Sequence, residues 1–224
     1  MDNDLIQAAT AAKHDLILTA DPLVQQAYAI AARKHKGVPY GNGGTMLTQV
    51  YETCAMLVKF GETDPNILAT ALLSKVREEK RLAEGEGKMP LSDIARLVNP
   101  TVAKNVEIIS QEPSDEEIQR VFGGKKPSKA LEQAYMAGWM RSLPRAVKLI
   151  FLAEKYANLV TSRDNPNPTW PPEKHAEYAE GRGPTIQACA DANPEMAQAA
   201  MDARQEVITR DRAVIKARDG VQNN

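Results

Sequence analysis

The sequence predicts an all-α fold, organised as a multi-helix bundle in a single domain. Aromatic residues make up only 5% of the 224 residues, whereas Ala, Leu and Met are frequent. These three residues favour helices, and runs of alternating Val, Ile, Thr and Tyr, which would indicate strands, are missing. Helix-start signals also recur along the chain. We therefore predict helices throughout and no strand.

The composition limits the classes of function. The 28 Lys and Arg residues balance 29 Asp and Glu residues, which gives a net charge of -1. No basic stripe of the kind that binds DNA or RNA is present, so nucleic acid is not an expected partner. Cys54 and Cys189 each lie alone in an apolar helical pattern, which indicates neither a disulfide framework nor a CxxC metal site.

The first 15 residues, MDNDLIQAATAAKHD, carry acidic residues where a signal peptide needs positive charge. No uninterrupted apolar run approaches the roughly 20 residues that a membrane-spanning helix requires. We therefore expect a cytoplasmic protein with no membrane partner.

Two helices are predicted in the first quarter of the chain. Asp21 and the proline after it cap a helix that runs through about Lys36. The glycine-rich loop Gly37–Gly44 ends it, and Thr45 caps a second helix that runs to Phe60.

The stretch Leu68–Leu82, LATALLSKVREEKRL, is apolar in its first half and densely charged in its second. The Asp-Pro pair at 64–65 opens the apolar helix. This pattern has two interpretations, a polar site carried on a buried helix or a helix that simply leaves the core.

The middle of the chain predicts short helices separated by breaks. Gly85 and Gly87 precede one short helix, and Asn99-Pro100 ends it and opens the next. The segment SDEE from Ser114 resembles a capping box, and residues 122–127, FGGKKP, predict a connection.

A central buried helix is predicted at 145–163, because RAVKLIFLAEKYANLVTSR is apolar around most of its circumference. Ser128 caps the helix before it. Three polar residues of the central helix, Glu154, Asn158 and Thr161, have spacings of four and three and therefore share one face.

The C-terminal third begins with the proline-rich crossover 165–172, NPNPTWPP, which excludes helix and central strand. A helical pattern follows at 173–190, and its glycines should kink or split it. The last helix, from Pro194, has an apolar stripe that either folds back on its own domain or pairs with another chain. These boundaries predict an N-terminal segment at 1–20, a helical domain at 21–193, and a C-terminal helix and tail at 194–224.

Few residues are available for catalysis. The three histidines His14, His35 and His175 form no HxxH, HExxH or HD motif. We expect His35 to cap the C-terminus of its helix and the other two to be exposed. Glu78 and Glu79 have two interpretations, as general bases beside a substrate or as part of a salt-bridged surface.

Four stretches resemble, in order, the HD-domain alarmone hydrolases, which are the hydrolase half of RelA/SpoT enzymes and the small single-domain SpoT homologues. AIAARKHKG with VPY resembles the first helix and PY turn, ILATALLSKVREE the "AALLHD" helix, KLIFLAEKYANLVT the "KLADKLANL" helix, and WPPEKHAEYAEG with NPEM the closing helices. The resemblance spans roughly residues 21–204. It implies an all-α, HD-domain-like bundle that removes pyrophosphate from guanosine tetraphosphate.

The resemblance also implies a manganese-type ion and the positions of its ligands. The family holds this ion with a His after the PY turn, the His-Asp pair and an Asp on the KLAD helix. These positions carry Gly43, Ser74, Lys75 and Glu154 here. Three of the four ligands are absent, and the Lys75 ammonium stands where a metal ligand should be.

The nucleotide side of the family site is altered as well. The family's basic loop between the first helix and the PY turn is too long to fit between His35 and Pro39. Other positions of the family pocket are retained, which are Asn158, Thr161, the Glu78-Glu79 pair and Tyr178. They are compatible with a residual ligand-binding set, in which Lys75 replaces the ion's charge, and equally with packing alone.

Two functions follow from this pattern. The first is a catalytically inactive HD-domain pseudo-enzyme that needs no metal cofactor and acts as a binding or structural protein, with a guanine nucleotide, a protein partner or a second copy as its ligand. The alternative is a metal-dependent nucleotide pyrophosphohydrolase in which Glu78, Glu79 and Glu154 form a rebuilt carboxylate site for Mn or Mg.

Overall fold

The computed structural model of the chain describes residues 21–41 and 43–222. The N-terminal segment predicted at 1–20, which includes His14, lies outside the described residues. Within them the fold is all-α, as the sequence predicts. The helices are α1 (Pro22–Lys34), α2 (Met46–Lys59), α3 (Pro65–Leu73), α4 (Leu91–Leu97), α5 (Pro100–Ile109), α6 (Asp115–Val121), α7 (Lys129–Arg141), α8 (Arg145–Asp164), α9 (Pro172–Glu180), α10 (Gly183–Ala188) and α11 (Pro194–Gln222).

One short ladder departs from the prediction of no strand. Strands β1 (Pro39–Tyr40) and β2 (Gly44–Thr45) pair antiparallel across the glycine-rich loop. A Cβ atom at Gly44 would lie 3.2 Å from the Tyr40 carbonyl oxygen, so glycine permits this close approach. Two-residue strands have no periodicity to detect, which is why the sequence does not predict them.

The described chain divides into two compact units. The first comprises the described part of Met1–Tyr40 and Gly44–Gln111, and the second comprises that of Gly41–Gly43 and Glu112–Asn224.

Helix α3 is the core of the first unit. Every residue from Ile67 to Leu73 is buried, and α3 packs against α1, α2 and α5. The helix ends at Leu73, and the charged half of Leu68–Leu82 continues as a turn and a single 3-10 turn at Glu79–Arg81. The charged residues therefore lie directly after a buried helix, on a segment that is not α-helical.

The helix starts that the sequence predicts are confirmed by side-chain caps. Each capping side chain accepts a hydrogen bond from a backbone N–H in the first turn, which satisfies a donor that the helix leaves unpaired. The capping residues are Asp21, Thr45, Asp64, Asn99, Ser114 and Ser128. Ser114 and Glu117 form the predicted capping box in full.

Helix α8 is the core of the second unit, as predicted. Thirteen of its 20 residues are buried, so it is covered on most sides. The helical pattern after residue 172 is split as predicted, since α9 ends at Glu180 and α10 begins at Gly183.

The C-terminal helix α11 packs against α8 and α9, within its own unit. This is the first of the two arrangements that the sequence left open. Two arginines of α11 bind the carbonyl ends of its neighbours. Arg204 donates to the Ala179 and Glu180 oxygens of α9, and Arg210 to the Ser162 and Arg163 oxygens of α8.

No helix in the described part of the chain is both long and apolar enough to cross a membrane.

Candidate functional site

The polar cluster of the first unit begins where α3 ends. Ser74 and Lys75 are both buried, at 5% and 8% exposure. The Lys75 Nζ lies 2.9 Å from Glu78 Oε1, and the other oxygen of Glu78 lies 3.8 Å from Arg81 Nε. One carboxylate is thus shared by two cations. The Arg81 guanidinium in turn lies over the Tyr40 ring, 5.2 Å from its centroid.

Glu79 does not join this cluster. Its side chain is 83% exposed, and its carboxylate lies 3.6 Å from Lys88 Nζ. The two glutamates that the sequence offered as paired general bases therefore have different surroundings. Glu78 lies against buried groups, whereas Glu79 is part of the solvated surface.

His35 lies under the same segment. Its backbone caps α1, as predicted, but its ring does not bind the carbonyls of α1. The ring is fully buried, and Nδ1 lies 2.6 Å from the Arg81 carbonyl oxygen. Burial lowers the pKa of His35, because a charged imidazolium loses its hydration there. The expected capping role is thus met by the backbone of His35, while its ring bonds to a carbonyl distant in sequence.

Gly43 has a backbone conformation that side chains rarely adopt. Its φ of +81° lies in the left-handed region, and Gly41 before it has φ +59°. A histidine at position 43 would therefore be strained in this loop.

The second unit carries the other predicted residues on α8. Glu154 is buried, and it accepts a hydrogen bond from Lys155 Nζ at 3.1 Å. The Lys155 ammonium also lies 5.6 Å from the centroid of the Phe151 ring. Asn158 and Thr161 are half-buried one and two turns further along the helix.

A pocket of about 290 Å³ lies between α7 and α9. Its volume is close to the lower end of the range of small-molecule sites. Tyr178 lines it, whereas Asn158 and Thr161 do not. Its walls carry aromatic, cationic and acidic side chains and one glycine, which are Lys129, Glu132, Gln133, Trp170, Lys174, Glu177, Tyr178, Gly181 and Arg182.

Two cations of the pocket lie over its two aromatic rings. The Lys174 Nζ is 4.4 Å from the Trp170 ring centroid, and the Arg182 guanidinium carbon is 4.4 Å from the Tyr178 ring centroid. The two rings meet edge to face, with centroids 5.7 Å apart. The result is an aromatic wall bordered by positive charge.

The sequence contains a signal for this pocket in the spacing of its aromatic and basic residues. An aromatic and a basic residue alternate every fourth position from 170 to 182, which is the spacing of one helix face. The sequence-based prediction included Tyr178 but missed Trp170, Lys174 and Arg182.

His175 lies behind this wall, and the prediction that it is exposed is wrong. Its side chain is buried, its ring centroid lies 5.4 Å from that of Trp170, and Nε2 donates to the Asn167 carbonyl at 3.0 Å. The proline-rich crossover folds over it, which neighbouring polar residues in the sequence do not indicate.

The residues at the family's four metal positions do not fit a divalent ion. Gly43 has no side-chain atom that could bind an ion, and Ser74 offers a neutral hydroxyl. The Lys75 ammonium is a cation with no lone pair to give to a metal. Among the described residues, no three His, Cys, Asp or Glu side chains are grouped so that they could hold a metal ion.

The fold is similar to that of a solved structure of a metazoan orthologue of SpoT, which is described as hydrolysing ppGpp and playing a role in starvation responses. The TM-score is 0.65 at 20% sequence identity, and the match covers 84% of this chain and 97% of that one. The predicted HD-domain-like fold is thereby confirmed. Comparisons with protein-family models and with curated protein sequences give no match.

Proposed function

We propose that this chain is a catalytically inactive HD-domain pseudo-enzyme that works by binding. The observation that carries the proposal is the ion pair between Lys75 and Glu78, 2.9 Å apart. By the resemblance, position 75 corresponds to the aspartate of the family's His-Asp pair. In this chain a buried lysine ammonium occupies that position. A lysine at that place repels a divalent cation and supplies no lone pair to it while it is protonated.

The remaining family positions support the same proposal. Glu154 is the single carboxylate among the four, and it pairs with the Lys155 ammonium. Hydrolysis by this family uses an ion that activates water and polarises the phosphate, so chemistry without the ion lacks both contributions. The expected activity is negligible.

Metal binding tests the proposal directly. The purified chain is titrated with MnCl₂ in a calorimeter, and its metal content is measured after dialysis. We expect no saturable heat and no bound metal. One equivalent of bound manganese, lost in the Glu154→Gln variant, would instead support the rebuilt carboxylate site and a metal-dependent pyrophosphohydrolase.

The pocket between α7 and α9 favours a second, compatible function, which is to bind a nucleotide without cleaving it. Trp170 and Tyr178 offer rings on which a base can stack, and Lys174 and Arg182 offer charges for phosphate groups. Of the residues retained from the family pocket, Tyr178 would then serve binding, whereas Asn158 and Thr161 lie outside this pocket.

Calorimetry with guanosine tetraphosphate and GDP tests the binding function. We expect saturable binding that weakens at least tenfold in Tyr178→Leu and in Lys174→Met. Lys104→Met is a matched control, because Lys104 is an exposed lysine of the first unit. Absence of saturable binding to the unmodified chain would leave a structural or protein-binding role for the scaffold.

A further inference from the structure

The ring of His35 joins two segments that are 46 residues apart. His35 follows helix α1, and Arg81 ends the 3-10 turn Glu79–Arg81. The ring reaches this turn through the Nδ1 hydrogen bond to the Arg81 carbonyl, at 2.6 Å. A carbonyl oxygen accepts and never donates, so the Nδ1 atom carries the proton.

The other ring nitrogen then has no proton and no partner among the described residues. His35 Nε2 is buried, and no hydrogen-bonding group in that part of the chain reaches it. In the neutral ring this nitrogen carries a lone pair and no hydrogen. Protonation places an N–H in the same buried position with nothing to accept it, which is costly.

Two charged side chains act on the ring in opposite directions. Glu78, from the segment before the turn, favours the imidazolium, and Lys34, from α1, disfavours it. Glu78 is already shared by Lys75 and Arg81, and Lys34 pairs with Glu86. Burial is the largest influence and lowers the pKa of His35, although the hydrogen bond to the Arg81 carbonyl raises it. The neutral ring is therefore the stable form at neutral pH while the turn is docked.

The segment after the turn has a separate attachment to α1. The Lys34 carbonyl accepts from the Ala83 N–H at 2.8 Å, and Lys34 Nζ donates to the Gly87 carbonyl at 2.8 Å. Neither contact involves an imidazole. Protonation of His35 therefore acts on residues 78–82 and leaves residues 83–88 attached to α1.

We propose that His35 is a pH-sensitive latch, whose protonation releases the turn Glu79–Arg81 from helix α1. The released turn carries Arg81 and adjoins Glu78, so acidification also loosens the Lys75–Glu78–Arg81 cluster. The latch depends only on contacts of the first unit and holds whether or not the chain has the proposed binding function.

Histidine NMR of the unmodified chain provides the first test. We expect His35 to show the Nδ1–H tautomer, whereas His175, whose Nε2 donates to Asn167, shows the opposite one. We also expect His35 to titrate below the ordinary value of 6.5. An Nε2–H tautomer for His35, or titration at or above 6.5, overturns the latch.

Hydrogen exchange measures the release itself. The Arg81 and Leu82 amides bond within the turn, to the Glu78 and Glu79 carbonyls. His35 takes up a proton more readily when the turn is open than when it is docked. The equilibrium constant for opening should therefore rise by up to about tenfold for each pH unit below 6.5, and it should level off below the pKa of His35 in the docked state. Opening that is independent of pH in this range contradicts the proposal.

Two variants separate the latch from other groups. In His35→Gln the side-chain amide can still donate to Arg81 but cannot take up a proton, so the pH dependence should vanish. In Glu86→Gln the pH dependence should remain, because Lys34 holds the pKa of Glu86 below its usual value, outside the pH range in which His35 acts. A dependence unchanged in His35→Gln overturns the proposal, and the NMR test stands if that variant does not fold.

Discussion

Lys75 and Glu78 form an ion pair three residues apart, with Nζ 2.9 Å from Oε1, directly after the most buried helix of the first unit. Lys75 is almost fully enclosed and Glu78 is about two-thirds enclosed. By the resemblance to the alarmone hydrolases, the pair fixes a positive charge at a position where that family places a metal ligand. The proposed loss of catalysis depends on this relationship.

The first prediction concerns the strength of this pair. In a double-mutant cycle of Lys75→Met and Glu78→Gln, we expect a coupling free energy of about 1–2 kcal/mol, since the pair is partly shielded from water. Urea denaturation measures it. Glu79→Gln is the matched control, because Glu79 is exposed and should show no coupling to Lys75→Met. A coupling near zero for the first cycle would mean that the pair is as weak as a surface contact.

The second prediction concerns the attachment of α11. Arg210 donates to two carbonyls at the end of α8 and also pairs with Asp211, which is buried. Arg210→Ala should lower the free energy of unfolding, measured by urea denaturation, by about 3 kcal/mol, because it leaves carbonyls and a buried carboxylate without this partner.

Arg212→Ala on the same helix is the control for that measurement. Arg212 pairs with Glu180 at the surface, where both side chains are well exposed. Its loss should cost less than about 1 kcal/mol. Equal losses in the two variants would show that capping by Arg210 adds nothing.

The third prediction concerns the thiols. Burial raises the pKa of Cys54 to about 12 and that of Cys189 to about 11. At neutral pH both therefore lack the thiolate that reacts. Titration with a thiol reagent should find no fast-reacting group in the native protein and two after denaturation in guanidinium. A fast-reacting native thiol would contradict the packing around whichever cysteine is labelled.

The fourth prediction concerns acid titration in the second unit. Lys148 Nζ donates to both Asp191 oxygens, at 2.9 and 3.2 Å, and this holds the pKa of Asp191 below its usual value of 3.8. The pair should stabilise the fold fully above about pH 3.8. This contribution should be lost as the pH falls through the lower pKa that Asp191 has in the folded protein. Lys148→Met should return the Asp191 pKa towards 3.8 in a carboxyl NMR titration, whereas Lys104→Met should not move it.

The helical architecture was predictable because its signals are local. Asp21, Thr45, Asp64 and Ser128 each precede a helix by one residue, and their side chains occupy the caps that their identities predict. The burial of α8 followed equally from its own composition. Such signals need no knowledge of distant neighbours.

The site was less predictable because its environment comes from residues far apart in sequence. His35 is buried by a turn 46 residues away, and His175 is covered by the proline-rich crossover, so neither can be placed from adjacent residues. The pocket is an intermediate case. Its aromatic and basic residues from 170 to 182 recur every four positions, which can be recognised in the sequence. The residues of its other wall, on α7, show no such spacing.

The measurement that tests the central claim most directly is pyrophosphate release from guanosine tetraphosphate with excess manganese. An active hydrolase of the same fold, assayed in the same buffer, serves as the positive control. We predict a rate equal to that of the protein-free blank, because the resemblance places Lys75, paired here with Glu78, at a metal-ligand position of those hydrolases. Sustained release that needs manganese and disappears in Glu154→Gln would contradict the account.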